Sequence, residues 1–387
     1  MTIYLSLHDV PKELFLTICQ KFSLKKLLEF GLVSTYTLSV VKNTAWTHVM
    51  PYIGSKNENM DFYIKNYKFM NYAFRGTFVT NDVLKKFSML NLSHITLDKC
   101  PRITKNCLQY LANCNTIAIN YNFFLDDDDL IYFSNCKKVI IDCSNMLTYN
   151  GLKTLNKCQE LSIFVSASGD VLNQKLLLNN VSSVRIKYFH FSGKNTQCLS
   201  NVKKLDLQYS QITDKYIKHF TNCCDINLRC CLNINGTTLH LLKNLHTVNL
   251  DYCSTITDGI VKQLGHLFRL SLCCCNLVTD NGIYFLKNVS ELNLSGCHLI
   301  TNKSVKMLGK LRKLNISSCK NITNESIKKL KKLQNICIDY CSAITNQPLF
   351  ALKNCHLISV VGCYKITLKR ANIVRDRSCA WDDELFR

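Results

Sequence analysis

Three consecutive cysteines, Cys273, Cys274 and Cys275, are the residues of this sequence that look most capable of chemistry. Neighbouring thiols can hold a soft metal ion, form a redox pair or supply a nucleophile. The chain contains 23 cysteines, an odd number, so they cannot all pair within the chain. No Cys-x-x-Cys spacing occurs among them, which argues against a structural zinc site. Because the N-terminus shows no secretory signal, we expect reduced thiols and a soluble protein of the cytoplasm, which would be the host cytoplasm for a viral source; the nucleus is the alternative.

Other residue types that perform catalysis are present without the spacing that catalysis needs. The ten histidines are scattered, and none lies three or four residues from another as a metal-binding pair would. The run Asp126–Asp129 lacks the spacing of a calcium loop, and Asp126 is predicted to cap a helix instead. There is no glycine-rich phosphate loop and no G-x-S-x-G motif. We therefore expect no catalytic residue, no metal, no cofactor and no enzymatic activity.

Seven cysteines stand on one register of 22 residues, and this period organises most of the chain. The register consists of Cys231, Cys253, Cys275, Cys297, Cys319, Cys341 and Cys363. An alternating apolar pattern before the cysteine, such as 248–250, predicts a short strand. The threonine four residues after the cysteine or the residue that follows it, such as Thr257 or Asp258, is the predicted helix cap. One strand and one helix in each unit predict a stack whose members bury their apolar sides against one another.

The repeated pattern L-x-x-L-x-L-x-x-C-x-x-I-T-D/N-x-x-L resembles the cysteine-containing class of leucine-rich repeats. The pattern is strong over 205–367 and weakest over 161–200, and we assign repeats to 90–367. The resemblance implies an α/β fold of the leucine-rich-repeat type. Such a chain forms a curved solenoid, with parallel strands on the inner face and helices outside.

The first fifty residues lack this period and predict three short helices. Asp9 and Ser23 are predicted helix caps, and Leu14 and Ile18 lie one turn apart on one apolar face. The stretch 10–34, VPKELFLTICQKFSLKKLLEFGLVS, resembles the F-box, with a valine in place of that family's usual first leucine. The alternative is that these helices only cap the solenoid. The predicted division is a small all-α F-box-like module at 1–50, a connector or N-terminal cap at 51–89, repeats at 90–367, and a C-terminal cap or tail at 368–387.

The F-box resemblance implies a substrate-recognition adaptor of the SCF (Skp–cullin–F-box) class of ubiquitin ligases. In that family the F-box binds a Skp-type adaptor subunit of a cullin–RING complex, and the repeats bind the protein substrate. The adaptor performs no bond chemistry but raises the effective concentration of a substrate lysine near the conjugating enzyme. The residues expected to contact the Skp-type subunit, or to form the core of the module, are Val10, Pro11, Leu14, Ile18, Leu24, Leu27, Leu28, Leu32 and Val33.

The strand alternation predicts which side chains face a substrate. The polar residues beside each apolar pair point away from the core, onto the inner face, and two tyrosines that precede register cysteines add aromatic anchors. This surface comprises Asn227, Arg229, Asn249, Asp251, Tyr252, Ser271, Cys273, Asn293, Ser295, Asn315, Ser317, Cys337, Asp339 and Tyr340. The register therefore predicts that Cys275 is structural and that Cys273 faces the inner surface.

The net charge of +21 allows an acidic partner, nucleic acid included. The predicted inner face carries one arginine and two aspartates and is nearly neutral, whereas grooves for single-stranded nucleic acid combine basic and aromatic residues. Nucleic acid is therefore disfavoured as a partner, and no apolar segment is long enough to predict a membrane span. The alternative to a ligase adaptor is a leucine-rich-repeat scaffold that binds proteins without a ligase.

Overall fold

The computed structural model describes residues 12–54, 60–120, 125–142, 147, 149–164, 178, 180–187, 196–369 and 372–374. The chain divides into two compact units, Met1–Val171 and Leu172–Arg387.

Three helices form the start of the first unit, as the sequence predicts. They are α1 (Lys12–Cys19), α2 (Leu24–Gly31) and α3 (Thr35–Asn43). Ser23 caps α2, because its hydroxyl accepts a hydrogen bond from the Lys26 amide at 3.4 Å. Ser34 and Thr37 cap α3 reciprocally, each side chain bonding the other residue's backbone amide or carbonyl. Asp9, the predicted cap of the first helix, lies outside the described residues.

A short parallel pair of strands follows the three helices. Strand β1 (Ala45–Trp46) pairs with β3 (Lys68–Phe69), and α4 (Met60–Asn66) lies between them in sequence. Trp46 is buried, and its indole NH donates to the Val41 carbonyl at 2.8 Å. This bond ties the end of α3 to β1 and satisfies the polar edge of a buried ring.

The first unit also carries a parallel sheet, with helical segments between its strands. The described strands, in sheet order, are β2 (Tyr52–Ile53), β4 (Asn71–Arg75), β5 (His94–Asp98), β6 (Thr116–Asn120), β7 (Lys138–Asp142) and β8 (Glu160–Phe164). The helical segments are α5 (Asn81–Phe87), the 3₁₀ helices Lys105–Leu111 and Asp128–Phe133, and α6 (Tyr149–Thr154). Strand β4 belongs to the sheet although the repeat pattern is not visible there, because Tyr72 and Phe74 fill the core positions that leucines fill elsewhere.

The second unit repeats the same strand–turn–helix plan. Its described strands are β9 (Ser183–Lys187), β10 (Lys204–Asp206), β11 (Asp225–Asn227), β12 (Thr247–Asn249), β13 (Arg269–Ser271), β14 (Glu291–Asn293), β15 (Lys313–Asn315), β16 (Asn335–Cys337), β17 (Leu357–Ser359) and β18 (Ile373–Val374). Its α-helices are α7 (Asp214–Ile217), α8 (Asp258–Val261), α9 (Asp280–Ile283), α10 (Asn302–Val305) and α11 (Asn324–Ile327). Its 3₁₀ helices are Thr196–Leu199, Leu239–Leu241, Lys262–Leu264 and Gln347–Ala351.

The strand register follows the sequence period. Leu270 pairs with Leu292, which pairs with Leu314, so each residue lies beside its equivalent in the next unit. These leucines are fully buried, and so are the residues two positions further along the chain, Leu272, Leu294 and Ile316. The core of this unit is therefore a stack of identical positions, as in a repeat protein in which each unit contacts its neighbours.

The register cysteines link consecutive units. The Cys275 thiol donates to the Leu250 carbonyl at 3.1 Å, and the Cys297 thiol donates to the Leu272 carbonyl at 3.0 Å. The same bond to the preceding unit recurs at Cys231, Cys253, Cys319, Cys341 and Cys363. All seven are buried free thiols, so Cys275 is structural as predicted.

A second set of hydrogen bonds joins the N-terminal ends of helices in neighbouring units. The Asp258 carboxylate accepts from the amide and the hydroxyl of Thr279, at 2.7 and 2.5 Å. Further along the chain, Asn302 accepts from the Thr323 amide at 3.0 Å and donates its NH₂ group to the Thr323 hydroxyl at 2.8 Å. As predicted for the threonine of the repeat, Thr279, Thr301 and Thr323 also cap α9, α10 and α11, whereas Thr257 stands at the start of α8 without a side-chain cap bond. The Thr-Asp/Asn pair of the repeat thus links neighbouring units and, in three of these helices, also caps the helix.

Parallel strands with helical segments outside them confirm the predicted leucine-rich-repeat fold in both units. No helix in the described part of the chain is long and apolar enough to cross a membrane.

Candidate protein-interaction surfaces

Four apolar side chains lie exposed on the N-terminal helices. They are Leu14 (52% exposed), Ile18 (44%), Leu32 (82%) and Val33 (59%). Leu14 and Ile18 both belong to α1, whereas Leu32 and Val33 directly follow α2. Leu14 and Ile18 lie one turn apart and therefore adjoin, and contiguous exposed apolar residues mark an interaction surface more often than scattered ones do. All four belong to the set predicted to bind a Skp-type subunit.

The other members of that set differ in how far they are buried. Leu27 is fully buried and belongs to the core of the module. Leu24 and Leu28 are half-buried, and Val10 and Pro11 lie outside the described residues. Burial thus distinguishes Leu27, which belongs to the core, from the members of the set that reach solvent.

The face of the sheet away from the helices carries a central column of polar residues, which is closed to a partner. Its members occupy the last strand position in successive units of the second half of the chain: Asp206, Asn227, Asn249, Ser271, Asn293, Asn315, Cys337 and Ser359. Every one of them is buried. Parallel strands lie only about 4.8 Å apart, so each side chain is covered by its equivalents in the adjacent units.

Hydrogen bonds engage several polar side chains of the central column. The Asn293 carboxamide oxygen accepts from the Ser295 amide at 3.0 Å, while its NH₂ group donates to the Ser271 hydroxyl at 3.0 Å. Asn249 and Asn315 accept from the amide two residues ahead in the same way, at 2.8 and 2.9 Å. These side chains terminate the strands and satisfy buried backbone amides.

An edge column lies two residues beyond the central column. It consists of Arg229, Asp251, Cys273, Ser295, Ser317 and Asp339. Asp251 and Asp339 are buried, and their carboxylates accept from the backbone amides of the next unit at 2.7 and 2.8 Å. The remaining four are half-buried and reach the surface. In all, eight of the fourteen side chains expected on an open inner face are buried: Asn227, Asn249, Asp251, Ser271, Asn293, Asn315, Cys337 and Asp339.

A turn column follows the edge column, and its backbone is left-handed. Its members are Tyr209, Cys230, Tyr252, Cys274, Gly296, Ser318, Tyr340 and Gly362, all with φ between 57° and 71°. Tyr252 and Tyr340, the predicted aromatic anchors, are 41% and 60% exposed. The Arg229 guanidinium lies 4.8 Å from the centre of the Tyr252 ring. A left-handed backbone favours glycine, so bulky residues there stand at some cost to stability.

A leading column of mostly charged residues on the same face was not predicted from the sequence. It occupies the first strand position and comprises Lys204, Asp225, Thr247, Arg269, Glu291, Lys313 and Asn335. Glu291 pairs with Arg269 at 2.5 Å and with Lys313 at 3.7 Å. The signal was present, because alternation places position 291 on the same side as 293.

The leading column also holds a carboxyl group with a perturbed pKa. Burial raises the pKa of Asp225 to about 6, with a further upward effect of the Asp206 charge, while Lys204 and Arg269 act in the opposite direction. Nearby cations therefore compensate only part of the cost of burying this charge.

Burial keeps several of the described cysteines protonated. Burial raises the pKa of Cys253, Cys319 and Cys341, each to about 12, so these thiols stay protonated at neutral pH. Burial also raises the pKa of Cys273, whose sulfur lies 3.6 Å from that of Cys274. Among the described residues, no group of three or more His, Cys, Asp or Glu side chains converges as metal ligands would.

The aspartate run is held by a lysine. The Lys105 ammonium group contacts the carboxylates of Asp126 and Asp129, the latter at 3.5 Å. The helix-start bond is made by Asp129, whose carboxylate accepts from the Asp126 amide at 2.9 Å. The predicted capping role of Asp126 is therefore wrong, since Asp129 provides the capping oxygen and Asp126 provides the amide.

Comparisons with known proteins agree with this fold. Residues 285–309 and 310–331 match the family described as Leucine Rich repeat. No curated protein sequence matches the chain. Among solved structures, a chain of the Rad7–Elc1 complex from yeast is similar with a TM-score of 0.51 and 15% identity, over 96% of this chain and 94% of that one. At that identity the similarity concerns the fold alone.

Two bacterial structures are similar at lower TM-scores. A leucine-rich-repeat protein of Leptospira interrogans has a TM-score of 0.47 and 18% identity, over 90% of this chain and 95% of that one. An internalin of Listeria monocytogenes has a TM-score of 0.45 and 15% identity, over 78% of this chain and 90% of that one.

Proposed function

We propose that this chain is a substrate-recognition adaptor of an SCF-type ubiquitin ligase. Its N-terminal helices bind a Skp-type subunit of a cullin–RING complex, and its repeats bind a protein substrate. The observation that carries the proposal is the group of four exposed apolar side chains, Leu14, Ile18, Leu32 and Val33, on a module whose sequence resembles the F-box.

The exposure of this group argues against the view that the helices only cap the repeats. A cap stabilises a solenoid by covering its apolar end. Leu27, Val40 and Val41 already supply a buried core for the module. The core of the module therefore does not use the four exposed side chains. The F-box resemblance implies that a protein partner covers them.

The substrate surface of the proposal is narrower than the strand alternation suggests. Only side chains that reach solvent can contact a substrate directly, which leaves Arg229, Cys273, Ser295 and Ser317 of the edge column and the tyrosines of the turn column. Tyr252 with Arg229 stacked on it is the strongest anchor in this set, because aromatic and arginine side chains dominate binding energy at protein interfaces.

The mechanism that follows requires no chemistry from this chain. The adaptor holds a substrate lysine near a ubiquitin-charged enzyme carried by other subunits, and the rate rises with the effective concentration achieved. The edge and turn columns would fix the substrate, while the helical module would fix the chain to the ligase.

The interaction of the full chain with a purified Skp-type subunit tests the proposal. We expect a one-to-one complex in size-exclusion chromatography and its loss in the double variant Leu14→Asp, Ile18→Asp. Both side chains are about half exposed, so the variant should fold. The matched control is Leu277→Asp with Leu299→Asp, which changes two residues of the repeats that are 52% and 51% exposed.

Two outcomes would contradict the proposal. One is the absence of any complex with the unmodified chain, which would favour the alternative, a repeat scaffold that acts without a ligase. The other is a complex that the Leu14 and Ile18 changes leave intact while the control changes weaken it.

A further inference from the structure

A cleft of about 290 Å³ lies on the helical side of the second unit. Three consecutive repeats form it. Its walls include Lys262 from the first, Asp280, Tyr284 and Phe285 from the second, and Lys303 and Ser304 from the third. The cleft is on the face opposite the edge and turn columns, and nothing in the proposed function uses it.

Two exposed aromatic residues form one wall of the cleft. Tyr284 and Phe285 are 46% and 49% exposed, and their rings meet edge to face with centroids 5.8 Å apart. The Lys287 ammonium lies 3.7 Å from the centre of the Tyr284 ring, and the Lys262 ammonium lies 5.4 Å from that of Phe285. The wall is thus apolar at the ring edges and cationic over the ring faces.

The repeat itself shows that folding does not require aromatic residues here. One unit later the equivalent pair is Lys306–Met307, and two units later it is Lys328–Lys329. Those units have the same strand pairing and the same type of helix. Because the same position accepts two lysines, Tyr284 and Phe285 are in excess of what the fold demands.

The one carboxylate among the lining residues is already committed to structure. Asp280 accepts hydrogen bonds from the Thr301 amide at 2.9 Å and from the hydroxyls of Thr301 and Ser304. Burial acts to raise the pKa of Asp280, but these hydrogen bonds outweigh it and hold that pKa below its usual value. Lys262 and Lys303, in the units on either side, are exposed and supply positive charge at both ends of the aromatic wall.

We infer that this cleft binds an acidic protein segment that inserts an apolar side chain against Tyr284 and Phe285 while its carboxylates meet Lys262 and Lys303. Charge complementarity points to this occupant, since the chain carries a net charge of +21 and the cleft's own carboxylate is satisfied. A nucleic acid fits less well, because base stacking needs open ring faces and lysines lie over both rings.

Fluorescence polarisation with the full chain tests the inference. The probe is a fluorescein-labelled octapeptide of alternating glutamate and leucine, compared with the same peptide carrying glutamine and with a single-stranded DNA octamer. We expect binding of the acidic peptide to fall about tenfold in Lys262→Ala, Lys303→Ala, since two charge contacts are lost. The control Lys328→Ala, Lys329→Ala removes the same charge in the repeat that lacks aromatic residues, and should change binding less than about twofold.

The decisive variant is Tyr284→Lys with Phe285→Lys. It copies the pair found at 328–329, so it should fold, and this is checked by circular dichroism. It also adds two positive charges, so a purely electrostatic surface would bind the acidic peptide more tightly. We expect weaker binding instead, because the apolar wall is gone. Tighter binding of the acidic peptide by this variant would overturn the inference. So would an unmodified chain that binds the DNA octamer more tightly than the peptide, if the binding of DNA depends on Lys262 and Lys303.

Discussion

Replacing Gly296 by alanine probes how closely neighbouring repeats stack along the turn column. Gly296 has φ 71°, a left-handed backbone in which a side chain is strained. A Cβ atom at this position would lie 2.7 Å from the Cys274 sulfur of the preceding unit. Normal contact between such atoms is near 3.5–4.0 Å, so the sulfur must move by roughly 1 Å.

The two effects can be estimated separately. The left-handed backbone costs alanine about 1–2 kcal/mol relative to glycine. Displacing the Cys274 side chain from its rotamer adds about 0.5–1.5 kcal/mol. Gly296→Ala should therefore lower the free energy of unfolding by about 2–3 kcal/mol. When Cys274 is already alanine, the clash with its sulfur is absent and Gly296→Ala should cost only the backbone strain. The cost of Gly296→Ala should therefore differ by about 1 kcal/mol between the two backgrounds.

Urea unfolding followed by far-ultraviolet circular dichroism measures these quantities for both single variants and the double variant. The matched control is Ser318→Gly, which relieves a left-handed serine with φ 61° one unit further along and should raise the unfolding midpoint. The stacking argument would be refuted if Gly296→Ala left the free energy of unfolding unchanged, or if it lowered that free energy equally with and without the Cys274 sulfur.

Three further predictions concern buried and titrating groups. Burial raises the pKa of Asp225 to about 6. Below about pH 4 the carboxyl is protonated in both the folded and the unfolded chain and costs no stability, whereas the free energy of unfolding falls as the pH rises through about 6. Asp225→Asn, which copies Asn335 of the same column, should therefore raise stability by about 1–3 kcal/mol at pH 7.5 and leave it unchanged at pH 4 in urea titrations. Cys275→Ala should cost about 1–2 kcal/mol by the same assay, since it removes a buried sulfur and its bond to the preceding unit. Brief alkylation of the folded protein, read by mass spectrometry, should modify half-buried Cys273 and Cys274 before buried Cys275.

Each of these has a result that would count against it. A pH-independent effect of Asp225→Asn would show that the carboxyl does not titrate near pH 6 in the folded chain. A Cys275→Ala variant as stable as the unmodified chain would remove the structural role of the thiol. Labelling of Cys275 at the rate of Cys274 would mean that the turn opens readily.

The period of the sequence was sufficient to predict the strand and the helical segment of each clear repeat and the burial of the register cysteines. Each of these depends on contacts between equivalent positions 22 residues apart, as between Leu270 and Leu292, so a repeated residue implies a repeated contact. Strand β4 escaped prediction because its core uses Tyr72 and Phe74, which satisfy the same packing without the leucine pattern.

The accessibility of the inner face could not be predicted from alternation alone. Alternation gives the side of the sheet on which a side chain lies, but not whether its neighbours cover it. Asn249 and Asn293 lie on the predicted side and are buried by the adjacent strands. The left-handed turn was equally hidden at Tyr252, although Gly296 and Gly362 at equivalent positions carried the signal for it.

Residues kept for function can be recognised by comparing equivalent positions in different repeat units. Any position that recurs in many units shows which side chains the fold accepts there, so a departure that costs stability or exposes apolar surface needs another explanation. Tyrosine recurs in the turn column at Tyr209, Tyr252 and Tyr340, yet Ser318 and Gly362 show that the fold does not require it there. Tyr284 and Phe285 depart on the helical side, where the next two units carry lysine at 306 and at 328–329. These two sets of residues lie on opposite faces, and because the core beneath them is the same in every unit, each surface can be altered without changing the other.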